Sequence, residues 1–286
     1  MTRKGRKMKI LIVPVSWNST FKDSASERFR CDWLLPHLPA DKYDGSQEPN
    51  DYDVIIYQKG FRPDMLAERH GLLTVFDSTD PFWLVSSRDE LKFLYEHVDL
   101  ITVPTPGLAG SCEKTCPLPV YVVPDGHDLN YYEVRKIHKK RRPVFVWFGY
   151  SLNWDQSTDL IDAISDYKLI TISDSPVGWR KGQWIKWDIN TVNENIVKGD
   201  IVLCPRDPNG FKSDNKKITS WALGMPIVEV PEDIPKFLEW EAREHDQTLH
   251  TWDIIQHRAQ ASADKMRGIL ARSLELSVVG RQLNGT

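Results

Sequence analysis

Short apolar runs alternate with longer amphipathic stretches along this chain, and that alternation constrains the fold more than any other feature. In the first half, apolar runs predict strands buried on both faces at 9–15, 53–57, 72–77, 100–104 and 120–124. Helical periodicity predicts helices between them at 27–38, 62–70, 87–97 and 105–113. Such an order is typical of an α/β fold, in which helices cover both faces of a parallel sheet.

A charged stretch that ends at a proline, residues 134–143, interrupts the alternation and is the best candidate for a linker. After it, the pattern predicts a helix at 155–164 and strands at 144–148, 168–172, 184–187, 201–205 and 227–230. The sequence therefore predicts two Rossmann-like domains, at 1–138 and 139–286. We expect the helical stretch left over at 233–283 to pack across the boundary.

Composition excludes several other classes of protein. With 286 residues, of which 41% are hydrophobic, the chain can form the packed cores of one large domain or two ordinary ones. The net charge of −3 provides no overall attraction to nucleic acid or anionic membranes, and the basic runs at 3–7 and 138–142 are predicted to be a solvated tail and linker.

The expected location is the cytoplasm. Cys31, Cys112, Cys116 and Cys204 are irregularly spaced, which favours reduced thiols over a disulfide framework or a zinc site. The apolar run at 10–15 is too short for a signal peptide, and no segment is long enough to span a bilayer. The sequence does not indicate an oligomeric state.

Residues 200–230 combine an apolar strand, a polar loop, a short helix and a second apolar strand. Such a βαβ unit can bind a phosphorylated ligand, because unpaired N–H groups and the helix dipole attract anions. Lys212, Ser213, Asn215, Lys216 and Lys217 add charge and hydrogen-bond donors there. The alternative is a solvated basic loop.

Seven short motifs, in order along nearly the whole chain, carry a resemblance to a known family. They are Ser-Glu-Arg-Phe-Arg (26–30), Asp-Val-Ile-Ile-Tyr-Gln-Lys (53–59), Val-Phe-Asp-Ser-Thr-Asp-Pro-Phe-Trp (75–83), Asp-Leu-Ile-Thr-Val-Pro-Thr (99–105), Val-Pro-Asp-Gly-His-Asp (123–128), Val-Trp-Phe-Gly-Tyr (146–150), and Lys-Ser-Asp-Asn-Lys (212–216) leading to Trp-Ala-Leu-Gly-Met-Pro (221–226). In this order they resemble GT-B glycosyltransferases, especially compact bacterial and phage members of the retaining family 4.

The resemblance implies that the C-terminal domain holds a nucleotide-diphosphate sugar as co-substrate, that the N-terminal domain holds the acceptor, and that no metal or other cofactor is needed. One departure concerns the ribose. Family members carry a glutamate about three positions beyond the loop lysine and another eight positions earlier, where this chain has Thr219 and Phe211. A hydroxyl offers fewer acceptor sites than a carboxylate, so Thr219 is expected to bind ribose more weakly.

The chemistry points to cations, because negative charge develops on the diphosphate leaving group. Lys216 is the first candidate, followed by Lys212 and the Gly149–Tyr150 turn, and Asn153 is a further candidate for donor binding. Arg28 and Arg30 are predicted to lie near the reacting groups, with an ordinary exposed helix face as the alternative.

Three further candidates come from the acceptor side. Asp77 and Asp80 follow a buried strand, where they could orient or deprotonate an acceptor hydroxyl, or simply cap the next turn. His127 follows the last strand of the first half and could contact the donor sugar, although a lone histidine in a turn is more often structural.

Three functions fit these residues. The leading one is a glycosyltransferase that acts on a glycan precursor with a nucleotide-sugar donor. The second is a phage-type glycosyltransferase that modifies DNA bases, which the acidic charge balance does not favour. The third is a non-catalytic nucleotide- or sugar-binding protein of the same fold, an alternative supported by the missing glutamate pair.

Overall fold

The computed structural model describes residues 7–17, 24–60, 73–177 and 182–284, with only the backbone described at 277–284. The chain forms two compact units. The first comprises Met1–His127, Asn209–Ser213 and His257–Thr286, and the second comprises Asp128–Pro208 and Asp214–Gln256. The first stretch of the first unit ends at His127, eleven residues before the predicted boundary at 138/139. The helical stretch predicted at 233–283 is divided between the units, with the part up to Gln256 in the second and the part from His257 in the first. The helix predicted at 62–70 lies outside the described residues.

A six-stranded, fully parallel sheet forms the centre of the first unit. Its strands are β1 (Ile10–Val13), β2 (Ala40–Lys42), β3 (Val54–Gln58), β4 (Leu73–Asp77), β5 (Leu100–Val103) and β6 (Val120–Val122), in the spatial order β2-β1-β3-β4-β5-β6. Five of the six follow the apolar runs of the sequence. The polar edge strand β2 lacks that signal, because it pairs with a single neighbour and is only partly buried.

Both faces of this sheet are covered, as the continuous apolar strands require. The long helix α9 (Ala259–Asn284) packs Ala263, Met266 and Leu270 against one face. The other face is covered by α2 (Arg88–His97) and α3 (Pro106–Cys112), through residues such as Leu94 and Leu108. Each fully buried leucine of this kind contributes about 1.5–3 kcal/mol to stability.

Local sequence fixes where these helices begin. Ser87 and Glu90 form a reciprocal capping box at the start of α2, which satisfies two backbone N–H groups. Thr105 caps α3 by accepting a hydrogen bond from the backbone N–H of Leu108 at 3.1 Å, and Pro106 occupies the first helical position.

The predicted helix at 27–38 has a different form. Only α1 (Ala25–Glu27) is α-helical; a π-helical turn over Arg28–Asp32 follows it, and then a 3₁₀ turn over Leu35–His37. The backbone N–H of Trp33 donates to Arg28 O at 2.9 Å, which is the wider spacing of a π-helix. Phe29, Arg30 and Cys31 are all buried in this turn.

A five-stranded, fully parallel sheet forms the centre of the second unit. Its strands are β7 (Val144–Phe148), β8 (Lys168–Ser173), β9 (Gly182–Lys186), β10 (Ile201–Leu203) and β11 (Ile227–Val228), in the order β11-β10-β7-β8-β9. One face packs against Leu160 of α4 (Thr158–Ala163), and the other against Ile196 of α5 (Val192–Ile196). The unit also contains α6 (Asn215–Ala222), α7 (Trp240–Asp246) and α8 (Thr251–Gln256). The prediction of an α/β fold with two Rossmann-like parts is confirmed.

The predicted linker at 134–143 is instead an integral part of the second unit. Lys136 is buried and donates to Val197 O at 2.9 Å, and its ammonium group pairs with the buried Asp200 at 2.9 Å. Arg141 also contacts Asp200, at 3.1 Å. In the basic run 138–142, which is predicted to be solvated, residues 139–142 are exposed and only His138 is buried.

His138, in the same segment, is expected to make the stability of the protein depend on pH. The ring is buried, with Nε2 3.1 Å from Gly224 O, and burial lowers the pKa of His138 to about 4. Because this value lies below the ordinary value of about 6.5, the unfolded chain binds the proton more readily. His138 therefore supports stability fully above about pH 6.5, and that support is lost as the pH falls toward 4, by on the order of 2–3 kcal/mol.

The measurement is the melting temperature of wild-type protein and His138→Gln between pH 4.5 and 7.5. Glutamine can still donate to Gly224 O but does not titrate, so we expect a smaller loss of stability on acidification in the variant. Parallel curves for the two proteins would exclude His138 as the source of the pH dependence.

Candidate functional site

The strand order of the second sheet indicates which edge is the candidate binding edge. The chain passes from β7 to β8 on one side, and β10 pairs with β7 on the other, so the order reverses between β7 and β10. In open parallel sheets, ligands bind beyond the carboxyl ends of the strands at such a reversal. The segments that leave these two strands are the Gly149–Tyr150 turn and the segment from Cys204 to α6.

The turn after β7 has a backbone conformation that favours glycine. Gly149 has φ +153°, and its N–H donates to Ile172 O at 3.0 Å. Tyr150, which is more than half exposed, accepts a hydrogen bond from the backbone N–H of Asn153 at 2.9 Å and begins the 3₁₀ helix Ser151–Ser157. The predicted residues Gly149, Tyr150 and Asn153 thus belong to one turn at the binding edge.

Asp174, which was not among the predicted residues, holds this turn. Its carboxylate accepts from the backbone N–H of Ser151 at 2.7 Å and from the Ser151 hydroxyl at 3.1 Å. The backbone hydrogen bond from Ser151 is the largest cause that lowers the pKa of Asp174. Its position directly after β8, at the carboxyl edge of a buried strand, is a signal that could have identified it.

Lys216, in the first turn of α6, lies against the Gly149 turn. Its ammonium nitrogen is 5.0 Å from the ring centre of Trp147 and 5.5 Å from that of Phe148, and it would lie 3.7 Å from a Cβ placed on Gly149. An aromatic face within about 6 Å stabilises a cation. The cation, the glycine turn and the N-terminus of a helix thus meet at the strand-order reversal, an arrangement that suits an anion.

The neighbouring lysine is engaged differently. Lys217 pairs with Glu229 at 2.8 Å and with Asp214 at 3.4 Å. Burial by itself would lower the pKa of Lys217, but the hydrogen bond to Glu229 and the two negative charges raise it overall. Lys217 is therefore neutralised locally. Asn215, the first residue of α6, is partly buried beside Lys216.

Thr219, at the position where the resemblance implies a glutamate, contacts a second hydroxyl. Its Oγ1 lies 3.1 Å from the hydroxyl of Tyr132, a residue that the sequence did not single out. The hydroxyl groups of Thr219 and Tyr132 therefore occupy this position beside α6, and no carboxylate of residue 219 is present there. Lys212 and Ser213, predicted to act with Lys216, belong to the first compact unit rather than the second.

In the first unit, Arg30 and Asp77 form a buried ion pair. Arg30 is 2% exposed; its Nε donates to Asp77 Oδ2 at 3.0 Å, and Nη2 donates to the other carboxylate oxygen. Nη1 donates to Val123 O and lies 3.4 Å from Asp125. Burial alone would lower the pKa of Arg30, but the charge of Asp77 and then of Asp125 outweighs burial and raises it.

Burial rules out the alternative of an ordinary exposed helix face for Arg30. Asp77 also accepts from the Thr102 hydroxyl at 2.5 Å and is itself buried. Both charged groups are thus fully engaged with each other and with their neighbours. They connect the π-helical turn to the carboxyl ends of β4 and β5, which favours a structural role, and their roles in the reaction stay predictions.

Asp80 and Arg28 are more accessible. Asp80 is exposed and pairs with Lys59 at 2.7 Å, and Lys59 has a φ of 56°, which is uncommon for a residue other than glycine. Arg28 is partly buried, with its guanidinium carbon 6.0 Å from the ring centre of Phe29. Their roles in acceptor positioning and leaving-group neutralisation stay predictions.

His127 is fully buried among aromatic side chains. Its ring centre is 4.5 Å from that of Phe29 and 5.9 Å from that of Trp33. Its backbone N–H donates to His257 O at 2.7 Å, and its carbonyl accepts from the N–H of Ala259 at 2.8 Å. This environment favours the structural alternative, in which His127 fixes the start of α9.

The described residues contain no cluster of three or more His, Cys, Asp or Glu side chains placed to bind a metal ion. None of the helices in the described ranges is long and apolar enough to cross a membrane. Four free thiols, Cys31, Cys112, Cys116 and Cys204, are all buried.

The two parallel sheets, each covered by helices on both faces, define an α/β fold with two Rossmann-like parts. No family model and no curated protein matches the chain. Among solved structures, it is similar to AviGT4, a glycosyltransferase involved in avilamycin A biosynthesis, with a TM-score of 0.58 and 11% identity over 94% of this chain and 98% of that one.

A second similar structure is the apo form of the lipopolysaccharide outer core galactosyltransferase WaaB. Its TM-score is 0.52 and its identity 10%, over 96% of this chain and all of WaaB (100%). At such low identity the likeness establishes the fold alone. The chain has the GT-B fold of two Rossmann-like domains, as the order of its motifs predicts.

Proposed function

We propose that this protein is a glycosyltransferase that transfers a sugar from a nucleotide-diphosphate donor to a glycan acceptor. The observation that carries the proposal is the meeting of Lys216, the Gly149 turn and the N-terminus of α6 at the strand-order reversal of the second sheet. A diphosphate is the ligand whose charge this arrangement complements. The GT-B fold supports the same reaction class.

We also propose the stereochemical outcome, the class of acceptor and the residues that face the ribose, and these proposals rest mainly on the sequence. Similarity to the retaining family 4 supports transfer with retention of the anomeric configuration. The net charge of −3 supports a glycan acceptor over DNA, since DNA binding relies on cations that neutralise phosphates. Thr219 and Tyr132 are proposed to face the ribose, with weaker binding than a carboxylate would provide.

The test is a thermal-shift screen of nucleotide diphosphates and their sugars. A ligand that binds only the folded state stabilises it by about 2.7 kcal/mol at 100 times its Kd, so one nucleotide should raise the Tm by several degrees. Release of the nucleotide diphosphate on addition of an acceptor would then establish turnover. Absence of any shift at millimolar nucleotide would contradict the proposal.

Donor use is expected to need no divalent metal. Lys216 and the α6 N-terminus can compensate the charge that develops on the leaving group. We therefore expect turnover in EDTA to equal turnover in magnesium or manganese. Activity that disappears in EDTA and returns with either cation would contradict this prediction.

A further inference from the structure

Residues Asn209–Ser213 lie in sequence between β10 and α6, two elements of the second unit, yet they belong to the first compact unit. Pro208 before them and Asp214 after them belong to the second. The contacts that hold Asn209–Ser213 therefore differ from the contacts that hold Pro208 and Asp214 on either side.

Two contacts with the start of α3 hold this segment through its backbone. The Thr105 hydroxyl, which caps α3, also donates to Gly210 O at 2.8 Å. Gly107 approaches the same backbone so closely that a Cβ there would clash with Gly210 O and lie 2.7 Å from Asn209 O. A side chain at position 107 would therefore displace the segment.

A third contact is apolar. Phe211 is partly buried against the core cluster of the first unit that includes Val103, Leu108 and Cys112. Gly210, just before it, has φ +64°, a conformation that glycine adopts without strain. The segment thus combines a glycine turn, an aromatic anchor and a hydroxyl-to-carbonyl hydrogen bond.

We propose that Thr105, Gly107 and Phe211 are positioning residues for Lys212 and Ser213, two of the donor-binding candidates. Lys212 and Ser213 directly follow Phe211 in the anchored segment Asn209–Ser213, and consecutive Cα atoms are about 3.8 Å apart. The anchor therefore limits the positions that Lys212 and Ser213 can take. An unanchored segment would have to be ordered by the ligand, at the expense of affinity.

This inference rests on the proposed function, because it assigns a purpose to contacts that hold two candidate donor-binding residues. The central variant is Gly107→Ala, and Gly110→Ala in the same helix is its matched control, since a Cβ at Gly110 meets nothing within 4 Å. Both changes replace a helical glycine with a better helix former, so only the clash with Gly210 distinguishes them. Phe211→Ala removes the apolar anchor independently, and Phe211→Leu retains part of it.

Two measurements are made on the full chain: the Kd for the nucleotide diphosphate that binds wild type best, and the rate of tryptic cleavage after Lys212. We expect Gly107→Ala and Phe211→Ala to weaken binding about 10-fold or more and to accelerate cleavage at Lys212. Gly110→Ala should match wild type in both, and Phe211→Leu should recover much of the affinity.

Each failure has a distinct meaning. Wild-type protein that binds no nucleotide diphosphate overturns the proposed function and the positioning role with it. Binding in wild type, with an unchanged Kd but faster cleavage in Gly107→Ala and Phe211→Ala, overturns the positioning role alone. Unchanged cleavage in both variants overturns the anchor itself.

Discussion

Arg30→Ala is expected to lower the free energy of unfolding by about 3–5 kcal/mol, because it leaves the Asp77 carboxylate buried without its counter-charge. The Arg30 guanidinium also donates to Val123 O and contacts Asp125, so three acceptors lose their donor together. A typical domain is stable by only about 5–15 kcal/mol, and the loss should be plain in urea titrations and in the Tm.

The control is Asp80→Asn, at a carboxylate that follows the same strand. Its ion pair with Lys59 is exposed to solvent, and such pairs contribute about 0–1 kcal/mol. We therefore expect the Tm of Asp80→Asn to stay close to that of wild type. An Arg30→Ala protein as stable as wild type, with turnover greatly reduced, would instead favour the catalytic role that the sequence suggests for this arginine.

The contrast between these two positions illustrates what the sequence could not predict. Asp77 and Asp80 follow one buried strand and are equally good candidates by position. Asp77 is neutralised by Arg30, 47 positions earlier in the sequence. Arg30 lies in a π-helical turn, which the local sequence pattern does not predict. Pairing over such a distance depends on tertiary packing, so the sequence alone could not separate the structural aspartate from the exposed one.

The strands, by contrast, were predictable because burial on both faces selects continuous apolar runs. The edge strand β2 was not predicted, because it is polar and only partly buried and so lacks an apolar run. The segment at 134–143 was predicted to be a linker from its charge and its final proline, but the buried Asp200 pairs with Lys136 and holds that residue in the second unit. This pairing joins residues that are far apart in the sequence, so the local pattern does not reveal it.

Among the candidate donor-binding residues, the sequence predicts the proximity of some but not the contacts of others. Gly149 and Lys216 follow strands that a Rossmann-like order places side by side, so their proximity follows from topology. Lys212 and Ser213 were grouped with Lys216 because they are neighbours in sequence. The anchoring of that segment depends on Thr105, 105 residues before Gly210, which sequence distance conceals.

Lys216→Ala is expected to reduce turnover of the nucleotide-sugar donor by about 100- to 1,000-fold, the usual effect of removing one preorganised donor from a developing negative charge. Its Kd for the nucleotide diphosphate should rise about 10-fold or more, since a charge-assisted hydrogen bond is worth about 1.5–3 kcal/mol. The ammonium group stands over Trp147 beside the Gly149 turn, at the position that complements a diphosphate. Steady-state kinetics and calorimetry measure the two effects separately.

Lys217→Ala is the matched control, because it removes the same charge from the next residue of the same helix. The ammonium group of Lys217 is already paired with Glu229 and Asp214, so we expect changes of about fivefold or less in turnover and Kd. Equal losses in the two variants would mean that general electrostatic attraction, rather than the position of Lys216, governs binding. Unchanged kinetics and affinity in Lys216→Ala would remove the N-terminus of α6 from the site, and the diphosphate would then have to bind elsewhere on the carboxyl edge of the sheet.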